Sequence, residues 1–341
     1  MIQRALPLVL ALMLAPAAAQ AQPGLPAKSP PCAPGKFVCN VQVVEDMMAT
    51  PDGRWIVGTA MNAGAGGLYI IDPKTHTARA ADIIVQPAQP PFADCPGPPD
   101  MKLIRTHGLE LRPGKDGVHT VYVVNHGGRE SLEVFRLDAS GPEPKVAWTG
   151  CILMPANASG NAVASLPDGR IALTKFMNAD DADGIVHILS GQVTGVVYIW
   201  TPGQGFKELP GTQLSGDNGL VVSRDGRSLF VTDYGHKAVL RVALDGSGQT
   251  GRVATDFRPD NLRWAPDGKI IATGQFVDLS NRDGLHGWAA VKIDPMTLAV
   301  TPYVKQAGTA AFDNGTTTLV VGKELYVGAY RGDRVAVLPA P

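Results

Sequence analysis

The chain has 341 residues, 45% of them apolar, with 30 basic residues set against 31 acidic ones. That is ample for a well-buried core, either as one large all-β domain or as two smaller domains. A formal net charge of −1 gives no electrostatic reason to bind nucleic acid or an anionic membrane, so charge-recruited partners are set aside.

The N-terminus reads as a targeting segment. "MIQR" is a short basic start, "ALPLVLALML" an apolar stretch, and "APAAAQAQP" a run of small residues. Ala19 and Ala21 fit the small-x-small pattern, so residues 1–21 are expected to be a signal peptide cut after Ala21, with Ala19 as the alternative. The apolar stretch is too short to cross a bilayer, and no later segment approaches about 18 uninterrupted apolar residues. The expectation is a soluble exported protein without a membrane span, periplasmic or secreted if the source is bacterial. Residues 22–36 are Pro-rich and expected to be extended. Export gives meaning to Cys32, Cys39, Cys95 and Cys151, whose spacings match no zinc pattern. Of the three possible pairings, Cys32–Cys39 across "CAPGKFVC" with Cys95–Cys151 is favoured.

From residue 37 onward, helical periodicity is almost absent. Short runs of Val, Ile, Leu and Thr alternate with Gly, Pro and Asp turns, the pattern of an all-β chain. In chain order, six related units follow: "VEDMMATPDGRWIVGTAMN", "RTHGLELRPGKDGVHTVYVVNH", "SGNAVASLPDGRIALTKFM", "GDNGLVVSRDGRSLFVTDYG", "PDNLRWAPDGKIIATGQF" and "NGTTTLVVGKELYVGAY". Each predicts a short strand, a turn and a second strand, often followed by a third, as in "SLEVFRLDAS" or "AVLRVALDGS". Sheets of about four strands repeated every 40 to 60 residues or so predict a six-bladed β-propeller over residues 37–341. Residues 179–194, "ADDADGIVHILSGQVT", interrupt the repeat and are expected to form a loop or short helix over one face.

Aligned on their turns, the units share one polar position at the start of the first strand. It is filled in order by Glu45, His107, Asn161, Asn218, Asp260 and Thr316, with Asn261 directly after Asp260. Innermost propeller strands line the central channel, so these side chains are expected to converge at one mouth of it. Buried amides and carboxylates are costly unless satisfied. Two carboxylates with two or three amide oxygens, and no thiolate, form a hard donor set that suits Ca²⁺ better than Mg²⁺ or Mn²⁺. The bland alternative is that each Asn or Asp merely satisfies turn backbone. Five at one repeat position argue against it.

His107 and His126 belong to one predicted hairpin closed by "PGKDG". His126 ends the returning strand, so the two rings are expected side by side, about 5 Å apart, at the same mouth. A histidine beside a cation stays neutral and can act as a general base, which the second imidazole orients or relays. His286, in "NRDGLHGW", is within loop reach of that mouth.

The hairpin "THGLELRPGKDGVHTVYVVNHGGRESLEVFRLD" resembles that of the paraoxonase family, within the wider regucalcin/gluconolactonase superfamily. "VEDMMATPDG", "MPANASGNAVASLPDG", "GDNGLVVSRDG" and "RPDNLRWAPDG" extend the resemblance over nearly all of the chain after the leader. It implies a catalytic calcium held by Glu45, Asn161, Asn218, Asp260 and Asn261, a His107–His126 dyad, and hydrolysis of lactones, often with aryl esters. The family's second, structural calcium would use Asp46 and a carboxylate matched here by Ala162, a departure that leaves that ion without a full set. The family's N-terminal cysteine has no C-terminal partner here, so the ring is expected to close by strand pairing alone. The expected function is a calcium-dependent lactonase or arylesterase with a small-molecule substrate. Two other readings fit the ring: a non-catalytic exported propeller with a structural ion, and a sugar lactonase using another divalent ion. The histidine pair favours the first. The oligomeric state is left open.

Overall fold

The computed structural model describes residues 29–62, 64, 67–282 and 284–341, so the expected leader over 1–21 lies outside the described residues. The first strand, β1 (Phe37–Val38), belongs to the sheet formed by the last strands of the chain. Six sheets follow in chain order. Blade one holds β2 (Met47–Ala49), β3 (Ile56–Thr59), β4 (Leu68–Asp72) and β5 (Thr77–Ala80). Blade two holds β6 (Ile83–Val85), β7 (Thr106–Arg112), β8 (Val118–Asn125), β9 (Ser131–Asp138) and β10 (Lys145–Leu153). In blade three are β11 (Ala158–Ser165), β12 (Ile171–Asn178), β13 (Val196–Thr201) and β14 (Gly205–Glu208), with helix α1 (Gly184–Leu189) inserted after β12. Blade four comprises β15 (Asp217–Val222), β16 (Ser228–Asp233), β17 (Ala238–Ala243) and β18 (Gly248–Ala254). Blade five comprises β19 (Arg258–Trp264), β20 (Ile270–Gln275), β21 (Trp288–Ile293) and β22 (Val300–Gln306). The last has β23 (Gly315–Val321), β24 (Glu324–Ala329) and β25 (Val335–Pro339). The protein is an all-β six-bladed propeller.

Why the strands read as apolar runs rather than clean alternations follows from the packing. A blade is covered on both faces, so its inner strands bury both sets of side chains; β3 and β4 are buried almost throughout. Each seam between blades holds an apolar cluster, such as Val57 and Ile70 of blade one against Val123 and Trp148 of blade two. The outermost strands β5, β18 and β22 face water and turn polar. The repeated turns have one mechanism. In "DGR" and "DGK" the aspartate accepts from the N–H two residues on, at 3.1 Å for Asp168, Asp225 and Asp267. The glycine between takes the left-handed φ, +69° at Gly53 and Gly226.

The ring closes as the sequence implied. β1 adds antiparallel to β25, with Phe37 opposite Ala336 and Val38 opposite Val335, so the sixth blade is completed by the N-terminus. The disulfides are Cys32–Cys39 and Cys95–Cys151, as favoured. The first joins the residues on either side of β1, and the second staples the long excursion before β7 onto β10. Two features depart from expectation. Blade two has a fifth strand, because β6 leaves blade one and pairs parallel with β10. The Pro-rich segment is not extended up to its end, since Lys36 and Phe37 N–H both bond back to the Ala33 carbonyl. The insertion forms α1, whose Ile188 packs with Phe176, Tyr234 and Val277. Among the described residues no helix is long and apolar enough to cross a membrane.

Candidate functional site: the channel mouth

The inner strands β2, β7, β11, β15, β19 and β23 touch in that order and close on themselves. In five of them the ladder slips where the shared polar position falls: at His107, Asn161, Asn218, Asp260 and Thr316. A bulge re-aims side chains that regular pleating would turn into a blade seam. Two glycines make room for this. A Cβ on Gly108 would collide with the Asn161 carbonyl, and one on Gly219 with the Asp260 carbonyl. The "HG" and "NG" pairs of the sequence are thus places where the next blade's inner strand comes close. Threonines lock the slip. Thr174 donates to the Asn218 carbonyl (2.8 Å) and Thr232 to the Asp260 carbonyl (3.0 Å). Thr59, Thr174, Thr232 and Thr273 recur on the second strand of four blades, a signal the sequence reading missed.

Glu45, Asn161, Asn218, Asp260 and Asn261 are all at most 5% exposed. Each carries one oxygen without a hydrogen-bond partner: Glu45 Oε2 and the Oδ1 of the other four. The amide nitrogens of Asn261 and Asn161 have other partners. Asn261 Nδ2 donates to Glu45 Oε1 (2.7 Å), and Asn161 Nδ2 lies 3.5 Å from His107 Nε2. Gln275, absent from the sequence-based set, donates to Asp260 Oδ2 at 2.7 Å and accepts from Tyr234 at 2.9 Å. Among the described residues, the other carboxylate or amide oxygens so orphaned belong to Asp217, beside Asn218. An unsatisfied buried polar atom costs about 1–3 kcal/mol, so five together would rival a typical total stability of about 5–15 kcal/mol. Burial, with Asp260 and Asp46 nearby, drives the Glu45 carboxyl well above its ordinary range. Burial likewise pushes Asp260 up to about 7. Hard, inward oxygens on two uncompensated carboxyls and three amides are a donor set that fits a divalent cation such as Ca²⁺. It is not a cluster of three or more His, Cys, Asp or Glu, which is absent among the described residues. Thr316 differs, since its hydroxyl donates to the Glu45 carbonyl at 2.6 Å.

His107 Nδ1 and His126 Nε2 are 2.8 Å apart, with ring centroids at 5.1 Å. The other nitrogen of His107 lies 3.6 Å from Glu45 Oε2, so one imidazole faces both the oxygens and the second histidine. Burial, then the charges of His126 and Arg105, hold the His107 pKa well below its ordinary value. His126 Nδ1 in turn meets both oxygens of Glu130, at 2.8 and 2.9 Å. Glu130 was not singled out from sequence; its only signal is the four-residue spacing from His126 across the "GGR" turn. His286 does not join the site. Its Nδ1 bonds to Asn314 Oδ1 (2.5 Å) and its Nε2 to the Asn281 carbonyl (2.7 Å), so both nitrogens are committed to loop structure. Asp46, matched to a second calcium, is instead paired with the Arg263 guanidinium.

No protein-family model and no curated protein matches the sequence. Solved structures do share the fold. Luciferin-regenerating enzyme is 15% identical with a TM-score of 0.52, covering 88% of this chain and 91% of its own. Regucalcin from Agrobacterium tumefaciens strain C58, called a calcium-binding protein, is 12% identical with a TM-score of 0.51, covering 90% and 94%. At these identities the likeness speaks for the propeller architecture.

Proposed function

We propose that the protein is an exported calcium-dependent hydrolase of lactones and aryl esters. The observation that carries this reading is the placement of His107, bonded to His126, with its Nε2 3.6 Å from Glu45 Oε2, one of five buried oxygens that lack partners. Glu45, Asn161, Asn218, Asp260 and Asn261 would hold the ion. A divalent cation bound there supplies Lewis acidity toward a carbonyl oxygen and the charge that develops on it, a contribution commonly worth several kcal/mol.

The chain's own residues do the proton work. Nε2 of His107 takes a proton from the attacking water while the water oxygen bonds to the carbonyl carbon. As the ester C–O bond breaks, its electron pair stays on the leaving oxygen, which recovers the proton. His126 shares the positive charge in between through its 2.8 Å hydrogen bond. A purely structural ion has no use for this pair. The calcium-binding character of regucalcin accords with the choice of ion, and the two disulfides accord with an oxidising, extracytoplasmic compartment.

The test is a panel of lactones and aryl esters assayed with and without calcium, on wild type and His107→Gln. Turnover in the variant is expected to fall by about 10²–10⁴, the usual worth of general-base catalysis, with calcium binding retained. Unchanged hydrolysis of every substrate by His107→Gln would remove the dyad from the mechanism.

A further inference from the structure

We propose that Glu130 is a positioning residue that fixes the tautomers of both histidines and so leaves the Nε2 lone pair of His107 free to take a proton. The inference rests on the reading of His107 as general base. Glu130 stands at the turn between β8 and β9, its side chain 25% exposed. It makes three contacts to two groups, one in each of two blades. Both oxygens approach His126 Nδ1, and Oε2 also accepts from the Gly160 N–H at 3.2 Å, one residue before Asn161.

A carboxylate can only accept, and a neutral imidazole has one donor and one acceptor. With both rings neutral, the polarity along the chain is then fixed. Nδ1 of His126 must carry the hydrogen, so its Nε2 is bare. The 2.8 Å contact to His107 Nδ1 can only be satisfied if that nitrogen donates. The remaining nitrogen of His107, Nε2, is therefore the unprotonated one, and it is the one that faces Glu45 and Asn161. With the opposite tautomer His107 would present an N–H to the site and could not act as a base. The same logic governs a carboxylate behind a catalytic histidine in hydrolytic triads, where the acid orients the ring and sets its tautomer.

Glu130→Gln is nearly isosteric and tests this directly. Its amide oxygen is drawn to the Gly160 N–H, which places the amide nitrogen against His126 Nδ1 and reverses the polarity of the whole chain. Wild type, Glu130→Gln and His107→Gln are compared as calcium-loaded protein without the leader. In Glu130→Gln, kcat is expected to fall at least about 100-fold with KM within about twofold, at unchanged melting temperature and calcium binding. Nitrogen NMR of histidine-labelled protein should show protonated and bare nitrogens exchanged in both rings. Unchanged ring-nitrogen signals in Glu130→Gln would overturn the inference whatever the rates. Exchanged signals with unaltered kcat overturn it too. If Glu130→Gln resembles wild type while His107→Gln is inactive, Glu130 is dismissed and the hydrolase reading stands. If wild type hydrolyses nothing in the panel, the hydrolase reading falls and takes the positioning role with it.

Discussion

Glu45 and Asp46 are consecutive residues, each 1% exposed, yet the channel treats them in opposite ways. Asp46 is fully provided for. Its Oδ1 accepts from the Met47 N–H at 2.9 Å and pairs with Arg263, and its Oδ2 accepts from the Leu109 N–H at 2.9 Å. Arg263 also donates to the carbonyls of Met47 (3.0 Å), Leu262 (2.7 Å) and Leu109 (3.2 Å), tying blades one, two and five together. Glu45 has one oxygen held by Asn261 and the other left without a partner. One carboxylate is neutralised by a cation built into the chain. The other is surrounded by further orphaned oxygens, the arrangement on which the proposed cation site rests. A buried charge must be paired or carry a metal; Asp46 takes the first solution, and the proposed function gives Glu45 the second. This also accounts for the single ion of the proposed site: the place that Asp46 could offer a second one is occupied by a guanidinium.

The largest effect expected from this contrast is on the Glu45 side. Chelation of divalent ions should abolish hydrolysis and lower the melting temperature, since an ion at 100 times its Kd stabilises the folded state by about 2.7 kcal/mol. Full activity in chelator-treated protein would remove the ion from the site. On the Asp46 side the dependence is internal. Arg263→Met leaves a buried carboxylate unpaired and is expected to cost about 3–5 kcal/mol with or without calcium, read by denaturant unfolding. A loss below about 1 kcal/mol would mean that Asp46 is satisfied by its two backbone N–H groups alone.

Next in size is a pH effect on the Glu45 side. Burial is the main cause that raises Asp260 from 3.8 to about 7 in the cation-free site. The folded protein therefore keeps a proton that the unfolded chain has already released. Stability of calcium-free protein should accordingly decline by a few kcal/mol as pH rises from about 4 to about 7, and flatten above that. Protons and calcium compete for the same oxygens, so calcium affinity should rise across the same interval. Melting curves of chelated protein at pH 5 and pH 8 provide the measurement, and Asp260→Asn should make the slope shallower, with the raised Glu45 carboxyl keeping a share of it.

These contrasts mark what could be read from the amino acids. The ring of Glu45, His107, Asn161, Asn218 and Asp260 was legible because a propeller repeats its geometry, so register alone places one residue of each unit at one level. Asp46 and Arg263 were harder. Arg263 follows Asn261 by two residues, in "DNLRWAPDG", where an arginine reads as an ordinary polar residue of a strand. It follows the slip of β19 against β20 between Pro259 and Leu262, and its guanidinium reaches Asp46 and the carbonyls of Met47 and Leu109. Glu130 escaped for a similar reason: it sits outside the repeat, on a turn whose course decides that its carboxylate meets His126. The fifth strand of blade two had no repeat partner either, and β6 is held by pairing with a strand some sixty residues later, between Ile83 and Val146. Interactions set by register were visible; those set by how a bulge or turn is aimed were not.

The smallest expected effect separates the two sides most cleanly, because it has the unusual sign. Asn161 is 2% exposed, its Oδ1 has no partner, and its Nδ2 has only the 3.5 Å contact to His107. Asn161→Leu removes a desolvated amide and keeps nearly the same volume. In chelated protein the variant is expected to be neutral or more stable by about 1 kcal/mol, since no good hydrogen bond is lost and an unsatisfied group is gone. In calcium the order should invert, with the wild type gaining more from the ion than the variant. A similarly sized apolar replacement of Asp46 would instead destabilise under both conditions, because it leaves the Arg263 charge buried without its partner. Should Asn161→Leu destabilise the chelated protein by more than about 1 kcal/mol, its amide is part of the finished structure rather than an open ligand, and the distinction between the two sides fails at that residue.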